Sequence, residues 1–123
     1  VEDSGFRDRS VDPGRVGIYL GAGEGTQDFQ NFVHSIAKSM NGGTECNTVR
    51  FIKEAMVDLD GRRELEQEPG MSSIHLAQLF DAHGPNFSCL TACAASAQAI
   101  GEATQIIRRN DADIMIAGGT HSM

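Results

Sequence analysis

Gly84-Pro85-Asn86-Phe87-Ser88-Cys89-Leu90-Thr91-Ala92-Cys93-Ala94-Ala95-Ser96-Ala97-Gln98-Ala99-Ile100-Gly101-Glu102-Ala103 passes from a turn through a short apolar stretch to a cysteine set among small residues. Asn86 to Leu90 predicts a buried strand. Thr91 to Asn110 predicts a helix with Cys93, Ala97, Ile100, Ala103 and Ile107 on one side and Gln98, Glu102, Gln105 and Arg109 on the other. Arg108 and Arg109 suit the negative end of that helix, and Asn110 suits its C-cap. A cysteine at a helix start lies among N–H groups that have no helical acceptor. The position favours the thiolate, and the same N–H groups can hold the oxyanion formed when an acyl carbonyl is attacked. Ala92, Ala94, Ala95 and Ser96 keep the backbone open to approach. Position alone weighs more for the competing reading, in which Cys93 is a small buried hydrophobe.

Working outward, Asp113 to Gly119 (DIMIAGG) predicts a strand closed by two glycines, and Val16 to Leu20 (VGIYL) another, entered by a turn at Asp12 to Gly14. A glycine-rich exit, Gly21 to Thr26, leads to Phe29, Phe32, Val33, Ile36 and Met40 at helical spacing. They predict a helix over about 28–40, stopped at Asn41-Gly42-Gly43. Val49, Ile52, Ala55, Met56 and Leu59 predict a second helix over 48–59 with Thr48 as its N-cap. Asp60 to Gly70 is polar and predicts an exposed connection. Ser72 or Ser73 then caps a helix that turns Leu76, Leu79 and Phe80 inward and ends at His83-Gly84-Pro85. Strand, helices, strand, helix, strand predicts a layered α/β fold with partly parallel strands.

The bulk properties suit one soluble α/β domain: of 123 residues, 40% are hydrophobic and 22% charged. No apolar run nears the roughly 20 residues that cross a bilayer, so no membrane partner is expected. A net charge of −7 argues against nucleic acid, whose phosphates need clustered Lys and Arg. The three cysteines lack metal-ligand spacing, which predicts free thiols in a reducing, cytoplasmic setting and no metal. Gly21-x-Gly23-x-Gly25 lacks the spacing of a dinucleotide fingerprint and its acidic partner, so it reads as a turn and no cofactor is implied. Cys89 reads as a strand core residue, Cys46 as a loop thiol, and Arg62-Arg63, flanked by acids, as a solvated charge run. The chain opens at Val1 on a polar run, Glu2 to Arg9, which reads as a natural start lying upstream.

The string from Gly84 to Ala103 closely resembles the nucleophile region of β-ketoacyl-acyl-carrier-protein synthases, of the thiolase superfamily. Arg15-Val16-Gly17 with its glycine-rich exit resembles their second strand. Asp111-Ala112-Asp113 through Ile116-Ala117-Gly118-Gly119 resembles the strand after the nucleophile helix, and Glu2-Asp3-Ser4-Gly5 the tail of an earlier helix. Residues 26 to 70 are the least distinctive. The resemblance implies a thiolase-like fold, with parent layers α/β/α/β/α, of which residues 1–123 are part of the N-terminal half, incomplete at both ends. It implies that Cys93 takes an acyl chain from acyl carrier protein or coenzyme A. A decarboxylated malonyl unit then lengthens that chain by two carbons, as in fatty-acid or related polyketide synthesis.

The resemblance also implies a homodimer paired through the strand at Asn86 to Leu90, and a second oxyanion donor and two catalytic histidines outside this chain. Residues 1–123 alone should then be inactive. His34, His75, His83 and His121 do not correspond to the catalytic histidines and receive no role. Arg7, Arg9 and Arg15 are the weak candidates for carrier docking. Thr91-Ala92-Cys93-Ala94-Ala95-Ser96 fits neither chain-length factors, which lack the cysteine, nor the serine-rich string of modular polyketide synthases. The alternatives are a non-catalytic thiolase-fold partner subunit and a thiolase-type acyl-coenzyme A enzyme.

Overall fold

A computed structural model describes residues 4–5, 10–23, 25 and 27–120. It divides into two compact units, residues 1–23 with 69–122, and residues 24–68.

The first unit is built on three parallel strands: β1 (Val16–Ala22), β2 (Asn86–Cys89) and β3 (Ile114–Thr120), in the order β2-β1-β3. The expected mixture of strand directions is therefore wholly parallel. β1 is central and buried at every position except the half-buried Tyr19, which is why its sequence is almost continuously apolar. Alternation along β1 turns Val16, Ile18 and Leu20 to one face. There they form the core with Ala82, and Leu76 and Ala77 of α4 (Met71–Phe80) pack against it beside Ile114 and Ile116. The other face receives α5 (Ala95–Arg108), so helices cover both sides of the sheet.

Several expectations change here. β2 is an exposed edge strand, not a buried one, because among the described residues no strand pairs with its outer side. α5 buries Ala95, Ala99, Ala103 and Ile106, whereas Ile100 and Ile107 are exposed. The small alanines, which barely register as an apolar stripe, let the helix lie close to the sheet. α4 begins at Gly70 with no side-chain cap, and the Ser73 hydroxyl donates to the Gly70 carbonyl instead. Leu79 on that helix is exposed. Its end is set by Asp81 in the left-handed conformation (φ 52°), ahead of the expected glycine. Asn110, also left-handed at φ 64°, follows the C-cap Arg109 and ends α5.

Asp12 receives the Gly14 amide at 2.9 Å and so caps the 3₁₀ turn Pro13–Arg15 that feeds β1. Arg15 then ties the start of β1 to the start of β3, donating to the Asn110 carbonyl (3.1 Å), the Asn110 amide oxygen (2.8 Å) and the Asp113 carboxylate. The Asp113 amide returns a bond to the Arg15 carbonyl at 2.8 Å. Arg15 is thus engaged in a structural clamp; Arg7 and Arg9 lie outside the described residues, as does His121.

The second unit holds α1 (Phe29–Ser39), α2 (Thr48–Asp58) and α3 (Gly61–Glu66). α1 and α2 are capped by Asp28 and Asn47, the latter displacing Thr48 as the expected cap. Their contact is partly polar: Ser35 and Lys38 both bond Asp58 at 3.1 Å, and Ser35 and Ser39 are the buried residues of α1. Phe32 meets Phe51 edge to face at 5.9 Å, and Phe29, Phe32 and Val33 of the helically spaced set are all exposed. α3 occupies what reads in the sequence as a connection, because the Asp60 carboxylate accepts from the amides of Arg62 and Arg63 and starts a helix there. Arg63 is paired with Asp28 at 3.1 Å rather than merely solvated.

Candidate active site

The chain leaves β2 at Cys89 and reverses before α5. Ala92 sits at φ 47°, in the left-handed region that an alanine enters at a cost of about 1–2 kcal/mol. A single 3₁₀ turn, Ala92–Ala94, follows, closed by the Ala94 amide donating to the Thr91 carbonyl at 3.1 Å, and it runs straight into α5. The Thr91 hydroxyl reaches Gln98 at 2.9 Å and ties the reversal to the helix. Cys93 lies in this turn, in the segment where helical amides lack intrahelical acceptors.

Cys93 is exposed, which removes the reading of it as a small buried hydrophobe. It lines a mainly apolar cavity of about 510 Å³ at the C-terminal ends of β1 and β3, where parallel sheets commonly receive ligands. Leu90, Ala92 and Ala95 line it beside the cysteine, and the two hydroxyl residues at its wall are Ser96 and Thr120. The sequence does not mark Ser96 and Thr120 as wall residues; their signal is position, one on the first helical turn after Cys93 and one at the end of a parallel strand.

The other titratable candidates are elsewhere. None of the described histidines lines the cavity; His83 pairs with Asp81 at 2.9 Å on the surface. Cys89 is half-buried and its thiol donates to the Ala95 carbonyl at 3.3 Å, beneath the first turn of α5. Cys46 is exposed in the loop between α1 and α2, 2.8 Å from the Ser39 hydroxyl. Among the described residues no cluster of His, Cys, Asp or Glu could hold a metal ion, and no helix is long and apolar enough to cross a membrane.

A family model described as the β-ketoacyl synthase N-terminal domain matches residues 1–123. The chain belongs to the β-ketoacyl synthase family. Among curated relatives, 3-oxoacyl-[acyl-carrier-protein] synthase 2 of Coxiella burnetii is 34% identical over 119 residues, covering 97% of this chain and 25% of that protein. The protein of the same name from Staphylococcus aureus is 33% identical over 108 residues, 88% of this chain and 23% of its own length. The mitochondrial 3-oxoacyl-[acyl-carrier-protein] synthase of Arabidopsis thaliana is 48% identical over 52 residues, 42% of this chain and 11% of that protein. This β-ketoacyl synthase chain thus spans a quarter or less of the relatives it matches.

Its fold is similar to a chain of a solved complex described as a type II PKS acyl-carrier protein with its ketosynthase bound to the hexaketide. The TM-score is 0.68 at 23% identity, over 92% of this chain and 28% of that one. The likeness establishes the α/β, thiolase-like fold.

Proposed function

We propose that this chain supplies the nucleophile of a 3-oxoacyl-[acyl-carrier-protein] synthase, an acyltransferase in which Cys93 accepts the acyl chain. The observation that carries the reading is the exposed Cys93 thiol at the start of α5, at the wall of an apolar cavity. The sulfur attacks the acyl thioester carbonyl, the tetrahedral oxyanion collapses, and the carrier thiol leaves with a proton. The Cys93 amide, at the helix start, is one oxyanion donor. Malonyl thioester then loses carbon dioxide, and the resulting carbanion attacks the acyl carbon and releases the Cys93 thiolate. The product is longer by two carbons, and no redox cofactor enters the balance.

The partners of this reading are acyl carrier protein, as the names of the curated relatives support, and a second copy of the protein. The free outer edge of β2 supports pairing of the two copies through that strand. Incubating the intact protein with an acyl-carrier-protein thioester should add the acyl mass to the peptide containing Cys93, and adding the malonyl thioester should discharge it as ketoacyl product. Acyl mass on Cys46 or Cys89, or none on a protein that still makes product, would sink the assignment.

A further inference from the structure

We propose that Gly21 and Gly119 form a paired seat that sets the height of Cys93, and so act as positioning residues for acyl transfer; the catalytic half of this statement rests on the nucleophile reading above. The two glycines are register partners on adjacent strands, at the ends of β1 and β3 nearest the cavity. A Cβ on Gly21 would lie 2.4 Å from the Ala95 carbonyl carbon and 2.7 Å from the Ser96 amide nitrogen. A Cβ on Gly119 would lie 2.6 Å from the Ser96 Cβ, 3.0 Å from its hydroxyl and 3.1 Å from its Cα. The first turn of α5 therefore rests directly on two bare backbones. The turn carrying Cys93 is continuous with it, so a methyl group at either glycine must lift the sulfur away from the place set for it by the sheet.

The two contacts differ in kind. Gly119 faces mainly the Ser96 side chain, whose removal leaves one contact, 3.1 Å to the Ser96 Cα. Gly21 faces helix backbone, which no side-chain truncation relieves. Because a clash that only destabilises would show the same asymmetry in melting, the rates on folded protein are what distinguish a seat.

The intact protein is compared with its Gly119→Ala, Gly21→Ala and Ser96→Gly variants and with the doubles Gly119→Ala/Ser96→Gly and Gly21→Ala/Ser96→Gly. Two rates are read, alkylation of Cys93 by iodoacetamide and acylation by acyl-carrier-protein thioester, with each adduct mapped by mass. Gly119→Ala should slow acylation about tenfold or more, since displacements near 1 Å at a reacting group cost up to about a hundredfold, with KM changed far less than kcat. Ser96→Gly should restore the Gly119 variant to within about threefold of Ser96→Gly alone and leave the Gly21 variant unrestored. If Gly119→Ala does not accumulate folded, the double variant should, and should acylate.

A folded Gly119→Ala that acylates at the parental rate overturns the proposal, as does rescue of both glycine variants or of neither. So does a Gly119→Ala/Ser96→Gly double that fails to fold. Should the acyl group prove to reside on another residue in the parent protein, the nucleophile reading falls. The alkylation rates of Cys93 across the same variants still decide the seat.

Discussion

The Ile18 amide donates to the Pro85 carbonyl at 2.8 Å, and this bond fixes which side of β2 is free. In a parallel ladder the bonding residues alternate, so with Ile18 opposite Asn86, the amides of Phe87 and Cys89 turn toward β1 and those of Asn86 and Ser88 turn outward. Proline at position 88 removes an outward donor, and proline at 87 removes an inward one. On the proposed pairing, the parent should sediment as a dimer at micromolar concentration and Ser88→Pro as a monomer with its sheet retained, whereas Phe87→Pro should lower Tm. A Ser88→Pro protein that remains dimeric would refute pairing through this strand.

The three thiols should react in a definite order. Cys93 is exposed at a helix start, Cys46 is exposed but held by Ser39, and Cys89 is half-buried with its proton engaged by the Ala95 carbonyl. Limiting iodoacetamide followed by peptide mapping should show Cys93 modified first and Cys89 last. Faster modification of Cys46 would contradict the site.

Acid should unfold the protein through two carboxylates. The hydrogen bond from Lys38, with a further one from Ser35, holds Asp58 below its ordinary value, and the bond from Arg15 does the same for Asp113. A carboxylate whose value is lower folded than unfolded stabilises fully above the unfolded value, about 3.9, and loses that contribution as pH falls through the folded one. Tm should therefore be level between about pH 5 and 7 and fall below about pH 4. Asp58→Asn and Asp113→Asn should each lower the plateau and flatten the acid limb. An unchanged acid limb in both variants would show that these pairs carry none of it.

Ala92 offers a test of the reversal before the nucleophile. Glycine occupies φ 47° without the steric cost, though it loses more chain entropy on folding. Ala92→Gly should leave stability within about 1 kcal/mol of the parent and retain acylation. Ala92→Val, β-branched at a left-handed position, should lose both. Equal behaviour of the two variants in thermal melts would mean that the left-handed turn is not required.

The parts of the fold read correctly from sequence are those with a strong local period. VGIYL and DIMIAGG are apolar runs bounded by glycines, and both are strands; α5 is visible from its small-residue start and basic end. The rest depends on partners far away in the chain or, for α3, on a local cap. The edge position of β2 cannot be seen in Asn86 to Leu90, because exposure of a strand is decided by what lies beside it. The buried face of α5 was misread because Ile100 and Ile107 outweigh alanine in any hydropathy pattern, whereas the sheet accepts the narrow Ala95, Ala99 and Ala103 face. α3 escaped notice because its start is a carboxylate cap at Asp60 on an otherwise polar segment. At the site, Cys93 is singled out by the resemblance of the string around it and not by position alone, whereas Ser96 and Thr120 acquire meaning only once the strand ends converge.

The strand order has a consequence for synthesis. Among the described strands β1 lies at the centre of the sheet yet precedes both of its neighbours, which come from residues 86–89 and 114–120. Translation at about 5–20 residues per second separates the VGIYL segment from these two neighbours by several seconds. The described three-stranded sheet is complete only when β3 arrives, and Asp113, the residue just before that strand, is where Arg15 closes the clamp.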